Sequence, residues 1–324
     1  MRVGAVDLGT NSTRLLVADV ENGRVDEVEQ RLRITRLGEG VDERRRLLPV
    51  AVARVRNVLT TFRRELELLG ADRTLAVATS AVRDAENGEA FLGEIEWSYG
   101  FATRLLSGDE EAKLTYRGVT AGRSLAPGAL ILDIGGGSTE LIQAGRAASV
   151  TGRAGDARLE TRDAYGVPWH ASLDIGSVRL TERHGDDVAA ASEAVRAVLP
   201  ELAASSAIGV AGTITSLAAL DLGLVEYDRE RVHGHVLTAE AVGDQLHRLA
   251  ALSLDERRRV PGLDPERAPV IVAGAVILRE ALRRYGLREI EVSEHDLLHG
   301  VALAATELPA VVEGDAPPGA YTCC

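Results

Sequence analysis

The order of apolar and polar positions runs twice through one programme: three β-type segments, then helical and β-type segments in alternation. An apolar strand entered at Arg2 and Val3 ends on Asp7, a turn rich in glycine and hydroxyls follows, and a second apolar strand leads away from it. Residues 23–36 alternate as a third strand, which Leu37-Gly38-Glu39-Gly40 breaks. Pro49 then opens a helix over 50–69, with Val52, Val55, Val58, Leu59, Phe62, Leu66 and Leu69 on one face. A strand at 74–78, a loop at 79–84, a helix at 87–99, a strand at 102–106 and a helix from 107 to 122 complete the first half.

A new hairpin starts the second half at Ala129. Strands are predicted at 147–152, 208–211 and 289–292, and helices at 187–203, 213–220, 239–251, 268–285 and 296–308. Residues 154–170 are polar without a period and read as a projecting loop or hairpin, and 309–324 as a disordered tail. The expectation is an α/β protein of two similar lobes, 1–122 and 123–295, with a cleft between them and the last helix packing back on the first.

The two hairpins are copies of each other. Asp7, Gly9, Ser12, Thr13 and Leu15 recur 126 residues later as Asp133, Gly135, Ser138, Thr139 and Leu141. Each copy ends its first strand on Asp and turns through four residues, Gly9-Thr10-Asn11-Ser12 and Gly135-Gly136-Gly137-Ser138. Such tips line up backbone N–H groups into an anion-binding nest, to which hydroxyls add donors, so phosphate is the natural occupant. An Asp beside a phosphate repels it unless a hard divalent cation joins the two. A Gly-rich hairpin can be purely structural, but an internal repeat marks two homologous halves.

Composition narrows the class. The chain has 324 residues, 45% hydrophobic and 27% charged, a soluble globular balance with room for two domains. Without a bilayer-length apolar run or a leader-like start it is expected in the cytoplasm, away from membranes. Its two cysteines, Cys323 and Cys324, are adjacent in the tail and build no disulfide framework. A net charge of −12 argues against nucleic acid as a partner. Lys113 is the sole lysine among 37 basic residues, so arginine forks for phosphate are plentiful, although wholesale arginine use is also a compositional bias.

Several motifs carry two readings. In Ser107-Gly108-Asp109-Glu110-Glu111 the serine caps a helix and the acids favour its N-terminus, or one glutamate serves as general base for water. Arg83 reads from its neighbours as a cap or an ion pair for Asp84. Thr213, in the hydroxyl-rich turn Gly212-Thr213-Ile214-Thr215-Ser216, either offers a third anion loop or plainly caps a helix. His233-Gly234-His235 invites a metal, but two histidines without further ligands are more often structural. Ser172-Leu173-Asp174-Ile175-Gly176-Ser177 echoes the hairpin theme, with Asp174 read as loop variation.

Taken together, residues 6–12, 78–87, 107–112, 133–140 and 178–182 resemble the exopolyphosphatase / guanosine pentaphosphatase (Ppx/GppA) family, in its short two-domain form. That family has two ribonuclease-H-like lobes of the actin, sugar-kinase and chaperone-ATPase superfamily. The resemblance implies Mg²⁺-dependent removal of the terminal phosphate from inorganic polyphosphate, or from the 5′ end of pppGpp. By position it implies Glu111 as catalytic base; Asp7, Asp133 and Glu140 as acids organising Mg²⁺ and water; and Gly9, Thr10, Asn11, Ser12, Gly135, Gly136, Gly137, Ser138, Arg83 and Thr213 as phosphate-binding residues. It also suggests homodimerisation and stimulation by a monovalent cation. The chain departs from the family at Leu298-His299-Gly300, where Arg-Glu-Gly is usual, and stops near 308 without the helical domains of long members. A low-activity polyphosphate- or alarmone-binding regulator and a kinase of the same superfamily are the rival readings.

Overall fold

The computed structural model describes residues 1–145 and 169–309. The chain divides into two compact units, one of Met1–Arg123 together with the chain from Leu297 onward, the other of Ser124–Asp296. The expected 154–170 loop, the 147–152 strand and the tail fall wholly or largely outside the described residues.

The first unit runs β1 (Arg2–Leu8), β2 (Ser12–Glu21), β3 (Arg24–Ile34), α1 (Val41–Arg44), α2 (Pro49–Leu69), β4 (Arg73–Ala78), α3 (Ser80–Arg83), α4 (Gly88–Tyr99), β5 (Ala102–Leu105) and α5 (Gly108–Thr120). Its sheet order is β3-β2-β1-β4-β5, with β1 to β3 antiparallel and β4 and β5 parallel to β1. Both faces of β1 are covered, which is why it reads as an almost unbroken apolar run. Val6 and Leu8 pack with Val55, Leu59 and Phe62 of α2, while Val3 and Ala5 pack with Leu114 of α5 and with a helix from the far end of the chain.

The second unit runs β6 (Ala129–Ile134), β7 (Thr139–Gln143), β8 (Trp169–Leu173), α6 (Ser177–His184), α7 (Val188–Val198), β9 (Ser206–Val210), α8 (Ala211–Asp221), α9 (Arg229–Val232), β10 (Val236–Thr238), α10 (Ala239–Ala250), α11 (Leu254–Arg257), α12 (Ile271–Arg284) and β11 (Glu289–Val292). Its sheet order is β10-β11-β9-β6-β7-β8. Apart from the antiparallel edge strand β10, it repeats the first unit's connectivity: third, second, first, fourth, fifth. This is the ribonuclease-H-like order, present twice.

The final helix α13 (Leu297–Ala305) belongs to the first unit, and every residue in it is buried. Gly300 makes that docking possible, since a Cβ there would stand 1.9 Å from the Leu114 carbonyl oxygen of α5. The neighbouring His299, fully buried, bonds Glu27 of β3 at 2.9 Å.

Two expectations change. Trp169 and His170, the end of the expected 154–170 loop, open strand β8, which pairs with β7 and whose only partly buried side chains give little alternation to read. The 79–84 loop contains the single helical turn α3.

Candidate active-site residues

In each unit the residues singled out by sequence gather at the carboxyl end of the parallel strands, where ligands of open α/β sheets bind. In the first unit the Gly9–Ser12 turn follows β1, Arg83 follows β4 and Glu111 follows β5. In the second the Gly135–Ser138 turn follows β6 and Thr213 follows β9.

Both turns are held from behind by their carbonyls. The Thr10 oxygen accepts from the Gly38 N–H at 2.8 Å, and the Asn11 oxygen from those of Thr35 and Arg36 at 3.0 and 2.9 Å. In the second turn the Gly135 oxygen accepts from the Ser177 N–H at 3.0 Å, and the Gly136 oxygen from those of Val178 and Arg179 at 2.8 and 3.2 Å. In a planar trans peptide the N–H points opposite to the C=O. Tying these carbonyls back therefore turns the N–H groups of Asn11 and Ser12, and of Gly136 and Gly137, outward as a donor nest. The repeated threonines help, with Thr13 Oγ1 bonding Thr35 Oγ1 at 2.9 Å and Thr139 Oγ1 donating to the Ile175 oxygen at 2.6 Å.

The two copied aspartates differ in what faces them. Asp7 lies opposite Arg14 in the β1–β2 register, and Arg14 donates to its Oδ2 through Nε and through the Nη at 2.8 Å. The structure thus gives Asp7 a guanidinium where the sequence pattern suggested a cation ligand. Asp133 lies opposite Glu140, and both are buried, Glu140 at 1% exposure. Facing like charges on a hairpin are destabilising. Ser172 of β8 donates to Glu140 Oε1 at 2.8 Å and fixes one of its oxygens. Two buried carboxylates on one face form a hard oxygen donor set, so Asp133 and Glu140 fit Mg²⁺, and Asp7 fits it less well.

The acidic start of α5 sorts into three roles. Glu110 closes a capping box with Ser107, its carboxylate accepting from the Ser107 N–H at 2.9 Å. Asp109 pairs with Lys113 at 2.7 Å. Glu111 performs neither task; it turns inward to 7% exposure, with an Arg83 Nη at 3.5 Å from its Oε2. The same Nη donates to the Leu106 oxygen at 2.7 Å, which locks the arginine beside the carboxylate. The capping reading holds for Ser107 and Glu110.

Thr213 is placed less favourably. A Cβ on Gly274 would meet its Oγ1 at 2.6 Å, so its side chain lies against α12, and only its backbone is left for an anion. The turn before it holds Ala211 at φ 68°, a left-handed conformation that alanine adopts at a cost of about 1–2 kcal/mol. His233 Nδ1 accepts from the Glu294 N–H at 3.1 Å and His235 Nε2 bonds Asp221 at 2.7 Å, which gives both histidines structural partners. Partial desolvation and the facing Glu294 carboxylate push the half-exposed Tyr227 phenol above its ordinary value.

Sequence reasoning missed Arg14 and Ser172. The signal was available for Arg14, because a four-residue turn fixes the register that sets residue 14 opposite residue 7. For Ser172 none was available, since β8 itself was not legible.

The Ppx/GppA phosphatase family pattern matches residues 16–307. The chain belongs to the Ppx/GppA phosphatase family. Membership places its chemistry among phosphoanhydride hydrolases. Exopolyphosphatase 2 of Mycobacterium tuberculosis is 36% identical over 332 residues, 94% of this chain and 98% of that protein. The guanosine-5′-triphosphate,3′-diphosphate pyrophosphatase of Aeromonas hydrophila is 29% identical over 92% of this chain, which spans only 58% of that protein. The crystal structure of the Aquifex aeolicus Ppx/GppA family member matches 95% of this chain and 99% of its own, with a TM-score of 0.73 at 28% identity.

Proposed function

We propose that this chain is an exopolyphosphatase that releases the terminal phosphate of inorganic polyphosphate by attack of water. The observation that carries the reading is Glu111, a buried carboxylate in the first turn of α5 that leaves capping to Glu110 and stands beside Arg83. Likeness to an exopolyphosphatase over nearly the whole length of both proteins supports polyphosphate as substrate.

Glu111 takes a proton from water as the water oxygen bonds the terminal phosphorus. The bridging P–O bond breaks, and the shortened chain leaves with the electron pair. In each unit the outward amides of its own glycine turn offer donors for phosphate oxygens and for the charge that builds on them. Asp133 and Glu140 would hold Mg²⁺, which when bound neutralises phosphate charge and so assists departure. Arg83, tied to the Leu106 oxygen, stands beside the Glu111 carboxylate and aims it. Among the described residues no helix is long and apolar enough to cross a membrane, in keeping with work in the cytoplasm on a soluble polyanion.

Hydrolysis of pppGpp to ppGpp is the second reading, favoured by the Aeromonas relative. Phosphate release measured side by side on long-chain polyphosphate and on pppGpp, with Mg²⁺ and with chelator, separates them. Faster release from polyphosphate that stops with chelator is the expected result. Preference for pppGpp would hand the assignment to the second reading, and release from neither would end both.

A further inference from the structure

The first residue of α6 and its two successors have N–H groups that no helical carbonyl can satisfy, and the cap residue Gly176 supplies no side-chain acceptor. The Gly135–Ser138 turn has carbonyls that its own strands leave over. In this structure each group satisfies the other: the Ser177, Val178 and Arg179 amides donate to the Gly135 and Gly136 oxygens. One carbonyl, that of Gly137, lies beyond the reach of the helix backbone. The Arg179 side chain bonds it, with Nε donating at 2.8 Å from a position only 8% exposed.

The consequence follows from peptide planarity. Holding Gly137 C=O inward turns the Ser138 N–H outward and extends the nest from two successive N–H groups to three. The backing of the first unit's turn, by the amides of Thr35, Arg36 and Gly38, ties two carbonyls and sets two N–H groups. We infer that Arg179 is a positioning residue that aims the third donor of the second phosphate turn and makes it the stronger anion site of the two. Gly176 is part of the same clamp, because a Cβ there would stand 2.4 Å from the Gly136 oxygen and push the turn off its helix. The inference rests on the reading of this turn as a phosphate site, but the clamp itself is testable without substrate.

Two variants separate contact from charge. Arg179→Lys keeps the charge and most of the bulk but loses the planar Nε–H, and Gly176→Ala displaces the turn while leaving Arg179 intact. Backbone hydrogen exchange by mass spectrometry, on the Ser177 and Val178 amides that donate to the turn, with the Thr35, Arg36 and Gly38 amides as internal control, reads the clamp in ligand-free protein. Tripolyphosphate affinity, measured in a Glu111→Gln background so that nothing is consumed, reads its use. The expected result in both variants is at least tenfold faster exchange at Ser177 and Val178, unchanged exchange at Thr35, Arg36 and Gly38, and tenfold weaker tripolyphosphate binding. Unchanged exchange at Ser177 and Val178 in Arg179→Lys overturns the positioning role, whatever happens to affinity. Faster exchange with wild-type affinity leaves the clamp standing and sinks the turn as a phosphate site.

Discussion

Arg257 illustrates how a residue from a charged run becomes structural. Its guanidinium is 1% exposed and donates to the Leu249, Leu252 and Ala268 oxygens and to both Asp186 oxygens, at 3.0–3.3 Å. Asp186 is half exposed and its charge is screened, so the carbonyl bonds carry most of the stabilisation. Arg257→Ala leaves those oxygens buried without donors and is expected to cost about 3 kcal/mol, a fall of roughly 10 °C in the midpoint of thermal unfolding for a unit of this size. Calorimetry on the variant measures it. Tyr285 is the opposite case, a buried phenol whose hydroxyl has no hydrogen-bond partner among the described residues. Burial raises its pKa above the ordinary value near 10. A raised pKa contributes stability that is fully present below the unfolded value and is lost as pH climbs past it, because the unfolded phenol ionises first. Tyr285→Phe is therefore expected to gain up to about 1 kcal/mol at neutral pH and to flatten the loss of stability above roughly pH 10. Urea titrations at pH 7 and pH 11 test both parts.

Elements with a strong period were legible in the sequence, and those defined by their neighbours were not. The helix over 50–69 was found to within a residue of α2, because its apolar face repeats over five turns and Pro49 and Gly70 bracket it. The hairpins were found because their turns demand glycine. Strand β8 escaped because it lies at a sheet edge with little alternation, and with it went the link between Ser172 and Glu140. The position of the last helix was legible as an apolar run, but not the closeness of its docking. Gly300→Ala puts a methyl into the Leu114 carbonyl, so α13 and α5 must part. An overpacking cost of about 1–3 kcal/mol is expected, together with reduced turnover, because Glu111 sits on the helix that moves. A melting curve and a phosphate-release assay on the same sample check the two together.

At the scale of the molecule, the chain leaves its first unit, builds the second and returns to finish the first. Leu297, Leu298, Val301 and Leu303 of α13 bury side chains worth on the order of 6–10 kcal/mol in gross terms, comparable with the whole stability of an ordinary domain. A fragment of residues 1–123 is therefore expected to lack cooperative unfolding, whereas 124–296 folds alone. Adding a 297–309 peptide to the first fragment should restore its circular dichroism and melting transition. The duplicated order of the two sheets was legible from the repeat of Asp7–Leu15 at Asp133–Leu141, yet the repeat hid a division of labour: one aspartate faces an arginine and the other a glutamate. Catalysis by water depends in this account on one further acid, Glu111, which stands outside the repeat. Phosphate release by Glu111→Gln, measured beside tripolyphosphate binding by the same variant, tests that dependence most directly. Loss of turnover by about 10²–10⁴-fold with binding retained is the predicted result, and turnover within a few-fold of the parent protein contradicts it.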